Sequence, residues 1–229
     1  MRYVVSDIHG EYELFCALLK KIKFSENDVL YVLGDIIDKG KNSIKLLKYV
    51  MSLENARLIL GNHELTFLKY YRSLSESLAP DELIKKLRDY FSPDTEPLDL
   101  DTVEKLAALP FYIEEDEFIC VHAGLPLDEN KLLVPPSAVS AEFLVNDRKF
   151  KEPNVIHESP KCVFFGHTET SCISGKNKIL GYLRKNVKEP QSVSDYFKIH
   201  LDTGAWRSGV LGCFCIDSLK VFYVNKESL

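Results

Sequence analysis

Five short segments of this sequence carry side chains that bind cations and move protons. They read SDIHG at 6–10, GDIIDKG at 34–40, GNHE at 61–64, VHAG at 121–124 and FGHT at 165–168. Asp7 and His9 are separated by one residue, so an extended backbone points them the same way and they can grip one ion. Asn62, His122 and His167 can grip a second. Asp35 is the expected bridge, because a single carboxylate can serve two ions about 3.5–4 Å apart. Carboxylate, imidazole and amide oxygen together suit manganese first, then iron, zinc or nickel, and suit magnesium less.

Asp38 lies three residues beyond Asp35 along a turn and is expected to face elsewhere, onto His63. A carboxylate on one ring nitrogen fixes the tautomer and raises the basicity of the other, which suits a general acid near neutral pH. Lys39 and Arg148 are cations placed to hold a phosphoryl oxygen. Taken singly, each residue has a plainer reading: Asp7 or Asp38 as a turn or cap acid, His122 or His167 as a structural histidine. Their recurrence directly after strand-like runs is what favours a common site.

The elements that must position them alternate. Tyr3–Ser6, Val29–Leu33 and Ala56–Leu60 read as strands. EYELFCALLKKIKF (11–24), SIKLLKYVMS (43–52) and ELTFLKYYRSL (64–74) read as helices, the first with Tyr12, Phe15, Cys16, Leu19 and Ile22 at helical spacing. Strand–helix alternation predicts a parallel sheet whose strands open their carboxyl ends onto one crevice. That crevice collects His9, His63, His122, His167, Asp7, Asp35 and Asp38. Residues 78–109 read as an inserted helical segment broken at 92–97. After it come a hairpin turning at Glu114–Glu117 and strands at Lys161–Phe165, Lys178–Leu183, Phe197–Leu201, Val210–Ile216 and Leu219–Val224, with a polar, mobile loop at 184–195. The expectation is one domain spanning 1–229.

With 229 residues, 45% hydrophobic and 28% charged, the composition is that of an ordinary globular chain. A net charge of −5 argues against non-specific nucleic-acid binding, and hence against a nuclease. No apolar run approaches the ~20 residues of a membrane span, so no membrane partner is expected and the cytoplasm is the expected location. The six cysteines contain no C-x-x-C pair and read as reduced.

In that order, DIHG, GDIIDKG, GNHE, VHAGL and GHT followed by LDTG resemble the calcineurin-like metallophosphoesterases. The similarity is to the bacterial and phage branch of the phosphoprotein phosphatases, which includes symmetrical dinucleoside tetraphosphate hydrolases. It runs from Asp7 to Gly204. It implies an α/β fold, a four-layer α/β/β/α sandwich with a helical insertion, and a two-metal centre. One metal falls to Asp7, His9 and Asp35, and the other to Asp35, Asn62, His122 and His167. His63 then protonates the leaving oxygen with Asp38 behind it, after a metal-bound hydroxide attacks phosphorus in line.

Two departures stand out. Lys39 replaces the family arginine and loses its bidentate fork. In FLVNDRKF, Val145 and Asp147 fall where the branch carries tryptophan and arginine, and Arg148 is one step off. The first expectation for substrate is a phosphoprotein, with Ser, Thr or Tyr monoesters cleaved. The second is a small phosphoester or nucleotide, a dinucleoside tetraphosphate. A non-catalytic module on the same fold would be favoured by lost ligands, and all six expected ligands are present. His157 and His200 read as ordinary histidines and Asp202–Gly204 as a tight turn. Tyr70, Tyr71 and Tyr90 read as packing for the inserted helices.

Overall fold

The computed structural model describes residues 1–91 and 94–229. The first half alternates as expected: β1 (Arg2–Val5), α1 (Tyr12–Ile22), β2 (Val29–Val32), α2 (Ser43–Ser52), β3 (Ala56–Leu58) and α3 (Asn62–Ser75). The insertion supplies α4 (Pro80–Tyr90) and α5 (Leu100–Ala107), the latter capped by Asp99 accepting from Thr102 N at 2.7 Å. The break expected at 92–97 lies partly outside the described residues. Then follow β4 (Tyr112–Glu114), β5 (Phe118–Val121), α6 (Ala141–Asn146), β6 (Cys162–Phe165), α7 (Ser171–Ser174), β7 (Leu180–Leu183), β8 (Tyr196–His200), α8 (Ala205–Ser208), β9 (Val210–Cys215) and β10 (Val221–Asn225).

These strands build two sheets, ordered β10-β9-β1-β2-β3 and β4-β5-β6-β8-β7. As expected from the alternation, β1, β2 and β3 run parallel. Strand β9 runs antiparallel to β1, and β10 antiparallel to β9. In the second sheet β5, β6 and β8 are parallel, with β4 and β7 as antiparallel edges. Alternation of side chains along each strand fills three separate layers. From β1, Tyr3 and Val5 pack under the helices while Val4 faces the other sheet. From β5, Phe118 and Cys120 meet Val4, Tyr31 and Phe214 between the sheets, while Ile119 and Val121 pack outward with Leu144 of α6. The result is helices, sheet, sheet, helix: the expected four layers.

Two details differ from the sequence reading. The buried stripe of α1 is Leu14, Phe15, Leu18, Leu19 and Ile22, leaving Tyr12 and Cys16 half-buried. The loop expected to be mobile at 184–195 is pinned: the Arg184 guanidinium donates to the carbonyls of Ser159, Pro160 and Ser194 at 2.7–2.8 Å. Lys198 is fully buried, its ammonium donating to the carbonyls of Phe150, Glu152 and Val155 at 2.6–2.9 Å, and burial lowers its pKa to about 8. All six cysteines are free. Among the described residues no helix is long and apolar enough to cross a membrane.

Candidate metal centre

The five loops that leave β1, β2, β3, β5 and β6 meet at one rim, so both sheets contribute. The first two loops continue the β1–β2 ladder beyond the strands, with His9 N donating to Asp35 O at 2.9 Å and Gly10 N to Ile36 O at 2.7 Å. Among the described residues ten non-glycine residues have positive φ, and six of them are candidates named above: Asp7, His9, Asp35, Asp38, Lys39 and His167. Left-handed backbone is costly for such residues and persists only where the surroundings over-determine it. At Gly61 and Gly166 a Cβ would collide with the carboxylates of Asp35 and Asp7, so glycine there is a requirement of close approach.

Helix α3 begins at this rim and presents three consecutive side chains to three different tasks. Asn62 Oδ1 lies 3.1 Å from His122 Nε2 and 2.9 Å from His167 Nδ1. His63 Nδ1 lies 2.7 Å from Asp38 Oδ2. Glu64 turns inward, fully buried, and its carboxylate accepts from four backbone N–H groups: Asp35 at 2.8, Ile36 at 2.8, Ile37 at 3.1 and Gly61 at 2.9 Å. Sequence reading passed over Glu64, although a glutamate at the third helical position after a strand-end glycine was a legible signal for this kind of cap.

The two oxygens of Asp35 face different imidazoles. Oδ2 is 3.5 Å from His9 Nε2 and 3.9 Å from His63 Nε2, while Oδ1 is 3.5 Å from His122 Nε2. Two clusters result, His9–Asp35–His63 and Asp35–His122–His167, with Asp35 in both. Asp7 falls outside both; its carboxylate accepts from the Ser6 hydroxyl and, at 3.1 Å to each oxygen, from His167 N.

The donor chemistry fits cations. His122 gives its Nδ1 proton to the Leu33 carbonyl at 2.7 Å, and His9 gives its own to Ile37 O at 3.0 Å. In that tautomer each Nε2 presents a lone pair, and on His122 it faces two further acceptors, Asn62 Oδ1 and Asp35 Oδ1. Acceptor against acceptor is repulsive unless a positive charge stands between them. Electrostatics agree. Burial lowers the pKa of His9, helped by the Lys39 charge, and burial lowers that of His167 to about 3, so both rings are neutral, as ligation requires. Burial also raises the carboxyls of Asp7 and Asp35, an unfavourable state for two close acids that bound cations would relieve.

His63 differs from its neighbours. Burial works against its charged form, but the hydrogen bond to Asp38 and the charge of Asp35 outweigh it, and its pKa rises. Tyr90, from the end of α4, donates to the same Asp38 oxygen at 3.2 Å and stacks on Tyr70 at 5.5 Å between ring centroids. The inserted helices therefore touch the proton-transfer pair directly, which packing alone did not foretell.

Lys39 does not stand free: its Nζ lies 2.8 Å from His9 Nε2, on the lone pair of that ring. Arg148 lines the same recess as His9, Lys39 and His167. Asp147, beside it, is a turn acid whose Oδ2 accepts from Phe150 N at 2.7 Å. Asp202 closes a turn onto Gly204 N at 2.8 Å, and the carbonyl of Thr168 is held by His200 Nε2–H at 2.6 Å. His157 Nε2–H likewise donates to Phe197 O at 2.6 Å. Burial drops the pKa of both His157 and His200 to about 4, which keeps them neutral.

The pattern of the family described as calcineurin-like phosphoesterase matches residues 2–191. The symmetrical bis(5'-nucleosyl)-tetraphosphatase of Salmonella paratyphi C is 35% identical over 127 residues, which cover 54% of this chain and 43% of that protein. Its counterpart in Salmonella typhimurium is 34% identical over 125 residues, with the same coverage of each chain. The match thus spans less than half the length of these curated relatives. Among solved structures, one assigned provisionally as a diadenosine tetraphosphatase superposes with a TM-score of 0.66 at 21% identity, covering 98% of this chain and 92% of the other. A cold-active protein tyrosine phosphatase gives 0.56 at 16%, covering 98% and 80%. Both likenesses are of fold.

Proposed function

Since the chain belongs to the calcineurin-like phosphoesterase family, we propose that it hydrolyses the central anhydride of a dinucleoside tetraphosphate, adding water across one P–O–P bond to release two nucleoside diphosphates. The carrying observation for the reaction class is the Asp35 carboxylate, which offers one oxygen to each of two imidazole clusters. For the substrate, support comes from the relatives at 34–35% identity. This reverses the order of the two substrate expectations, because the protein phosphatase neighbours support only the fold.

His9, Asp35, His122, Asn62 and His167 would hold the two cations, with Asp7 at the edge of the set through Asp35 and His167. When bound, such ions make water nucleophilic at neutral pH and neutralise the phosphoryl oxygens. The remaining work belongs to side chains seen here. Asp38 fixes the His63 ring with a proton on Nδ1, and the raised pKa lets Nε2 carry one for the leaving oxygen. Arg148 extends positive charge along the recess toward the phosphates.

The test is a side-by-side assay of metal-loaded protein on diadenosine tetraphosphate, a phosphopeptide and p-nitrophenyl phosphate. The expected result is ADP as the sole nucleotide product, with kcat/KM at least about tenfold above that for the phosphopeptide. A higher kcat/KM on phosphopeptide, or ATP plus AMP as products, would reverse the reading. His63→Asn should keep its metal and lose about 10²-fold or more on a phosphoserine ester, yet less on the anhydride, whose leaving phosphate needs a proton less. Loss of metal in this variant would instead make His63 a ligand, as its place in the His9–Asp35 cluster allows. Tyr90→Phe removes one donor from Asp38; a several-fold fall in kcat on poor leaving groups is expected, with stability changed by about 1 kcal/mol or less.

A further inference from the structure

Beside the metal-centre residues the recess continues to Thr168, Glu169, Cys172, Asp202, Gly204, Trp206 and Arg207, enclosing about 240 Å³. Trp206 is the only tryptophan in the chain. It sits on α8, directly after the Asp202–Gly204 turn, and is 45% exposed, one of few large apolar side chains left in solvent. Among the described residues no other aromatic ring packs against it. Three cations share the recess with it, Lys39, Arg148 and Arg207, the last paired with Glu169 at 3.1 Å, and the buried Asp202 lines it too. Arg148 has no ion-pair partner among the described residues. Lys39 and Arg148 are enough to hold a single phosphoryl group beside the two cations, which leaves Arg207 and, still more, an exposed indole without a use there. A chain of phosphates ending in a base uses both, because any base can lay its π-face on an aromatic ring while the phosphates run along the charges.

We infer that Trp206 is a stacking platform for one nucleobase of the substrate, with Arg207 and Arg148 along the phosphates that lead from it to the metal centre. This rests on the tetraphosphate reading above and goes further by naming the subsite. Cys172 is exposed and lines the same recess, so it marks the rim.

The indole is also the reporter. Titrating the unmodified protein, free of added metal, with ADP should quench tryptophan fluorescence along a saturable curve, whereas pyrophosphate, which has the phosphates without the base, should leave it unchanged. In turnover, Trp206→Leu should raise KM for diadenosine tetraphosphate about tenfold, with kcat within about twofold and p-nitrophenyl phosphate hydrolysis unchanged. Trp206→Phe should restore most of the affinity. No quenching by ADP, equal quenching by pyrophosphate, or an unchanged KM in Trp206→Leu would each overturn the subsite. Should the wild type bind ADP through Trp206 yet fail to cleave the tetraphosphate, the subsite stands and the reaction assigned above falls. The reverse pattern removes the subsite and leaves the reaction.

Discussion

Asp35→Asn is expected to lower kcat by about 10³-fold or more, equivalent to roughly 4 kcal/mol of barrier, and to strip bound metal from the chain. The buried carboxylate is the one group common to both clusters, with Oδ2 toward His9 and Oδ1 toward His122 at 3.5 Å each. An amide keeps the volume but supplies one oxygen and one NH₂, so one cluster receives a donor where it needs an acceptor. Elemental analysis of the purified variant beside its activity checks both halves. Full activity with two ions per chain would refute the bridge. Without metal the sign inverts. Burial, opposed mainly by His63, holds the Asp35 carboxyl up at about 6. A carboxyl raised in the folded state contributes stability that is lost as pH climbs through the window from about 4 to 6. Metal-free Asp35→Asn should therefore resist denaturant better than metal-free wild type at pH 7, and lose that advantage below about pH 4.

Glu64→Ala is expected to cost on the order of 4 kcal/mol of stability and to abolish metal binding, although Glu64 belongs to neither cluster. Its side chain is the acceptor for the N–H groups of Asp35, Ile36, Ile37 and Gly61, all in a region closed to water. Without it four buried donors lose their partner, and the loop that holds Asp35 at positive φ loses what over-determines it. Glu64→Gln should fall between, since one amide oxygen serves two donors while its NH₂ confronts the other two. Denaturant unfolding with metal titration measures both effects. A Glu64→Ala protein within about 1 kcal/mol of wild type and still binding metal would show that the loop is held by something else.

Membership of the family was legible in the sequence, and so was the position of each candidate metal ligand after a strand. Both are local properties: a short apolar run, a glycine and a polar residue mark a strand end wherever the chain goes next. That Asp35, Asn62, His122 and His167 meet at one rim follows once those strands share a pair of stacked sheets. Which sheet each later strand would join was not legible, because β9 and β10 have the same alternating pattern whether they form a sheet of their own or return to β1.

Three further matters only the tertiary structure decided. Glu64 faces a loop twenty-seven to twenty-nine residues earlier, Tyr90 reaches Asp38 across the insertion, and Trp206 shares a recess with Arg148. Each joins residues with no common period or motif, brought together by packing of the layers between them, and a one-dimensional pattern holds no record of that.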